Sequence, residues 1–84
     1  MARTGPALSD AFSRLVKKHR EARSLSRVAL AEAAGLHQTY IGLLERGERS
    51  PSLDTADAIA KALGSTLGKL IAEAEKLQNR NKPA

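Results

Sequence analysis

Residues 27–51 read RVALAEAAGLHQTYIGLLERGERSP, and the spacing of their apolar positions decides the fold. Leu30, Ala31, Ala34, Leu36, Ile41 and Leu44 fall inside two short helical patterns, with Gly35 punctuating between them. Ala31 and Ile41 are ten residues apart, so a bend at Gly35 presses one helix against the other. Two helices joined by a short glycine-containing turn suit a geometry that sets the second helix in the major groove of duplex DNA. Sequence-specific DNA binding is the first expectation this spacing raises.

Further helices follow on either side. Ser26 is placed to cap a helix over residues 27–34, with Val28, Leu30, Ala31 and Ala34 available to the core and Gly35 as its left-handed stop. The next helix, residues 37–46, buries Ile41 and Leu44 beneath Leu36 and ends at Gly47. After the loop of residues 48–51, Ser52 caps a fourth helix with Ala56, Ile59, Ala60 and Leu63 inward, and Gly64 ends it. Ser65 or Thr66 then caps a fifth, carrying Leu67, Leu70, Ile71, Ala74 and Leu77. Upstream, Ser9 or Asp10 caps a first helix in which Leu8, Ala11, Phe12, Leu15, Val16 and His19 form one stripe and Arg20 borders it. Gly5-Pro6 breaks any earlier helix, so residues 1–7 read as a flexible arm; the polar residues 78–84 read as a disordered tail. No segment alternates as a strand does. The expectation is an all-α, five-helix domain over residues 8–77.

Composition narrows the function classes. The 84 residues make a single small domain, and a core that size often gains support from a partner subunit. With no cysteine there is neither a disulfide framework nor a thiolate metal site. No signal-peptide-like run and no membrane-length apolar stretch is visible, so a soluble protein without a membrane partner is expected. The net charge of +5 is uneven: residues 1–51 carry +4 and residues 52–84 carry +1. A basic amino-terminal half is the footprint of phosphate binding. Phe12 and Tyr40 are the only aromatics, too few to stack successive unpaired bases, which favours duplex over single-stranded nucleic acid. His19 and His37 have no metal-site spacing, the serines lack a triad context, and no glycine-rich phosphate loop exists. No enzyme activity, cofactor or metal is expected.

Residues from about 12 to 72 resemble the lambda-repressor-like, Xre-type helix-turn-helix family. The matching pieces are Arg20, LSxxxLAxxAGL at 25–36 and TYIxxLERGxRxPSL at 39–53, which includes E-x-G-x-x-x-P. Thr39-Tyr40-Ile41 followed by Glu45-Arg46-Gly47 is similar to the small controller proteins of restriction–modification systems. The resemblance implies that the amino-terminal residues of the third helix, Gln38 and Thr39, meet base edges. A glutamine there can bond adenine N6 and N7 together, a contact worth about 1–3 kcal/mol of discrimination. Gly42 and Leu43 occupy outward positions where many relatives carry polar base readers, and they join the base-reading set as its departures. A glycine inside a helix costs about 1 kcal/mol relative to alanine, so Gly42 points to close approach of the DNA. Ser26, Arg27, Tyr40, Arg46, Arg49 and Ser50 are the implied phosphate and backbone contacts. Arg20 and Glu45 are the family's buried ion pair, tying the first helix to the third.

The apolar fifth helix exceeds what one small domain needs, so Leu67, Leu70 and Ile71 are read as dividing between the core and a two-fold dimer interface, which Ala74 and Leu77 extend. The resulting expectation is a cytoplasmic, nucleoid-associated regulator of bacterial or phage origin. It acts as a homodimer on a near-palindromic operator in double-stranded DNA, autoregulatory or as a restriction–modification controller. RNA polymerase or a toxin stands as a further candidate partner. The alternative is an antitoxin-type protein that binds a toxin as well as its own promoter.

Overall fold

The structure, a computed structural model, describes residues 7–80. Five helices follow in order: α1 (Ala7–Ala22), α2 (Arg27–Ala34), α3 (Gln38–Glu45), α4 (Leu53–Ala62) and α5 (Leu67–Arg80). The starts of α2 to α5 are set by side chains that satisfy backbone donors the helix itself leaves unpaired. Ser26 Oγ accepts the Ala29 N–H at 3.0 Å, Ser52 Oγ accepts that of Thr55 at 3.1 Å, and Thr66 Oγ1 accepts that of Lys69 at 3.1 Å. The last bond selects Thr66 over Ser65 as the cap of α5. At α3 the cap is His37, whose Nδ1 accepts the Thr39 N–H at 3.2 Å.

The bend between α2 and α3 turns on Gly35, whose φ of 72° lies in the left-handed region that a Cβ disfavours. There the Leu36 N–H donates to the Ala31 carbonyl at 2.8 Å and closes the end of α2. At the end of α1 a serine does the same job: Ser24 has φ 55°, and the Leu25 N–H reaches the Arg20 carbonyl at 3.0 Å.

One core joins all five helices. Phe12, Leu15 and Val16 of α1 meet Leu30 and Ala31 of α2, Ile41 and Leu44 of α3, Ile59 and Ala60 of α4, Leu63, and Leu70 and Ala74 of α5. Fully burying a Leu, Ile or Val side chain is worth about 1.5–3 kcal/mol. The short helices α2 and α3, eight residues each and too short to persist alone, are therefore held by this packing.

Several expectations need correction. Leu70 and Ala74 have no exposed surface, so the domain's own core absorbs them and they are unavailable to a partner. Packing along α1 takes the inner stripe of α5; the half-buried Leu67, Ile71 and Leu77 remain of the five interface candidates. Helix α1 starts at Ala7, placing Ser9 and Asp10 within its first turn, where Asp10 opposes the positive end of the helix dipole. Leu8 and Val28 are exposed rather than inward. Helix α5 runs on through Gln78, Asn79 and Arg80, into the segment expected as tail, because no glycine or proline interrupts it there. Residues 1–6 of the expected arm and 81–84 of the expected tail lie outside the described residues. Among the described residues, no helix is long and apolar enough to cross a membrane.

Candidate nucleic-acid interface

Helix α3 has one side locked into the core by Ile41 and Leu44, and this packing fixes which residues it offers outward. Gln38 and Thr39 open the helix and are both exposed. Because His37 supplies the cap, the Thr39 hydroxyl is not used for it and makes no hydrogen bond among the described residues. Two adjacent polar side chains at a helix start, one an amide and one a hydroxyl, can donate to and accept from base edges.

Gly42 differs from the expectation. It is buried, and a Cβ built on it would lie 3.4 Å from Arg46 Nη1. Helical side chains lean toward the amino terminus, so Arg46, one turn later, folds back over residue 42 and covers it. Gly42 therefore lies beneath Arg46 and offers no surface to a base. Leu43 is half-buried beside it.

The cations surrounding α3 fall into distinct settings. Arg49 and Ser50 are exposed in the loop between α3 and α4. Arg46 Nε donates to Glu48 Oε2 at 3.2 Å, with both side chains more than half exposed, a surface pair of little energetic weight. Tyr40 is half-buried against the core; burial pushes its hydroxyl pKa up, and the nearby Arg49 charge partly offsets this. Its phenol is held neutral and able to donate. Arg27, the first residue of α2, donates from Nε to Glu45 Oε1 at 3.0 Å while its side chain stays 48% exposed.

Glu45 is the anchor beneath this surface. Arg20 donates to it twice, from Nε to Oε2 at 2.6 Å and from Nη2 to Oε1 at 3.1 Å, and gives its Nη1 to the Leu25 carbonyl at 2.8 Å. The Glu45 side chain is 2% exposed. Its hydrogen bond holds the Arg20 pKa above the ordinary arginine value, outweighing the opposing effect of burial. The expected Arg20–Glu45 pair is thus present as a bidentate bond. The second arginine on the same carboxylate was not foreseen. Arg27 and Glu45 are eighteen residues apart on different helices, and no local pattern links them. His19 also has an unforeseen partner: its Nε2 lies 2.9 Å from Glu73 Oε1 on α5, while His37 proves to be a cap.

A family profile described as helix-turn-helix matches residues 16–70. The chain belongs to the helix-turn-helix family. Among curated members, it is 41% identical over 64 residues to the control protein C.SmaI of Serratia marcescens, covering 76% of each chain. It is 40% identical over 58 residues to the immunity repressor protein of Bacillus phage phi105, covering 69% of this chain but only 40% of that longer protein. Among solved structures, the restriction-modification controller protein C.AhdI from Aeromonas hydrophila superposes with a TM-score of 0.70 at 34% identity. That match covers 74% of this chain and 94% of C.AhdI. This helix-turn-helix protein is a DNA-binding transcriptional regulator, and its relatives include controller proteins. Its α2–Gly35–α3 unit is the helix-turn-helix itself, with α3 in the place of the recognition helix.

Proposed function

We propose that this chain regulates transcription as a homodimer bound to a near-palindromic operator in duplex DNA, in the manner of a restriction–modification controller. The observation that carries the reading is the pairing of exposed Gln38 and Thr39 at the start of α3 with the nearby cations Arg27, Arg46 and Arg49. Gln38 and Thr39 read base edges, and half-buried Leu43 lies against a thymine methyl group. Ser26, Arg27, Tyr40, Arg46, Arg49 and Ser50 hold the sugar–phosphate backbone and set the register. The half-buried Leu67, Ile71 and Leu77 of α5 supply apolar surface to the two-fold contact. The similarity to C.SmaI over three quarters of both chains supports the controller assignment. Occupancy then responds to protein concentration, because dimerisation and operator binding are linked.

Selection of bound DNA from a random pool, followed by footprinting of the recovered site, tests this directly. Two half-sites with centres about 34 Å apart are expected. With three arginines from each of two protomers, about six phosphates are neutralised, and affinity falls about a thousandfold between ~50 and ~200 mM salt. Recovery of no palindromic site, or an affinity indifferent to salt, removes the reading.

A further inference from the structure

We propose that Glu45 positions Arg27 for DNA binding as well as bracing the fold through Arg20. Its buried carboxylate holds the Arg27 guanidinium by one edge, so that the other edge is presented to a phosphate. The proposal rests on the reading of Arg27 as a phosphate contact.

Three features lead to it. First, one carboxylate serves two guanidinium groups: Oε2 takes Arg20 Nε at 2.6 Å, while Oε1 takes both Arg20 Nη2 at 3.1 Å and Arg27 Nε at 3.0 Å. The three charges sum to one surplus positive charge. With the Arg20 side chain 9% exposed and that of Arg27 48% exposed, the surplus faces solvent at Arg27. Second, the contact uses Arg27 Nε and leaves both Nη nitrogens without a hydrogen bond among the described residues. A guanidinium is a rigid planar fork, so fixing the Nε edge orients the whole plane and leaves terminal N–H groups aimed outward. Third, a cation is poorly placed at this point for the helix itself. Arg27 is the first residue of α2, at the positive end of the helix dipole, and the first turn holds no acidic residue. The carboxylate that offsets the charge comes from α3 instead. An arginine at that position, tethered from beneath by a buried acid, is pre-organised for an external anion. Less side-chain freedom is then lost when the anion arrives.

The exposed Arg46–Glu48 pair shows the contrast. Both of its members are solvated, so it restricts Arg46 far less than a buried carboxylate restricts Arg27.

A double-mutant cycle on the selected operator tests the proposal. Affinity, its salt slope and thermal unfolding are measured for the wild type, Arg27→Ala, Arg27→Lys, Glu45→Gln and the Arg27→Ala/Glu45→Gln double variant, at a temperature where circular dichroism finds each folded. Arg27→Ala removes one contact from each protomer, so it is expected to weaken binding by the dimer about a hundredfold, about tenfold per protomer, and to reduce the slope of log affinity against log salt by about 1.8. Arg27→Lys keeps the charge, and so the slope, but loses most of the affinity because it has no Nε edge to tether. Glu45→Gln weakens the wild type more than it weakens the Arg27→Ala background, where only its contact with Arg20 remains to be lost. A purely structural role shifts melting temperatures without this pattern. The proposal is overturned if Glu45→Gln weakens binding equally with and without Arg27, if Arg27→Lys binds as the wild type does, or if Arg27→Ala leaves the salt slope unchanged. Should Glu45→Gln not fold, the contrast between Arg27→Lys and Arg27→Ala decides alone. A wild type that selects no operator removes the underlying reading as well, and is seen before any variant is made.

Discussion

Adjacent residues of α1 tie that helix to two different neighbours, by contacts of opposite character. Arg20 reaches α3 and binds Glu45 by two bonds, with both side chains at least nine-tenths buried. His19 reaches α5 and makes a single 2.9 Å contact with Glu73, whose side chain is 43% exposed. Apolar burial holds both helices, through Ile41 and Leu44 on α3 and Leu70 and Ala74 on α5, and α3 is in addition tied to α1 by a buried ion pair. A directional, bidentate ion pair adds to the packing of α3 a restriction on its rotation relative to α1. On α5 the polar contact is half-exposed, and non-directional burial carries the attachment.

Breaking the α1–α3 contact should have the largest effect. Glu45→Ala strands the Arg20 guanidinium in the core and is expected to cost about 3–5 kcal/mol, lowering both the melting temperature and operator affinity. An unchanged melting temperature would refute the structural weight given to this pair. At the α1–α5 junction, Leu70→Ala opens a cavity beside Leu15 and Phe12's cluster and should cost about 2–5 kcal/mol by chemical denaturation. Because Leu70 lies away from the α1–α3 contact, the operator footprint of folded Leu70→Ala protein keeps its sequence preference. Glu73→Gln probes the weaker polar contact and should cost at most about 1 kcal/mol, since half-exposed pairs contribute little. A loss comparable with that of Glu45→Ala would erase the contrast between the two junctions. Smallest is Ser24→Gly at the end of α1, which relieves a left-handed serine and should raise stability by about 0.5–1 kcal/mol in a thermal melt.

Much of the fold was legible because its signals are local. Gly35 and Gly47 mark helix ends by the left-handed φ they permit, and Ser26 and Ser52 mark helix starts by the acceptors they offer. Gln38 and Thr39 could be placed at an exposed helix start for the same reason. The site was less legible wherever one side chain covers or borrows another. Gly42 looked outward by helical position, yet Arg46 lies over it, and side-chain direction rather than spacing decides that. Likewise the stripe on α5 looked large enough for two interfaces, but periodicity cannot divide a stripe between its own core and a partner.

By itself, then, the sequence determined the five helices, the serine caps of α2 and α4, the glycine bends, the helix-turn-helix at residues 27–45 and the pairing of Arg20 with Glu45 through family resemblance. Tertiary structure alone decided that Glu45 also receives Arg27, that His19 meets Glu73, and that Leu70 and Ala74 are consumed within the domain. The physical reason is one of range. Caps, turns and amphipathic periods are settled within four residues of chain, where backbone geometry leaves few choices. Which carboxylate meets which guanidinium across eighteen residues, or which imidazole across fifty-four, depends on how the helices pack.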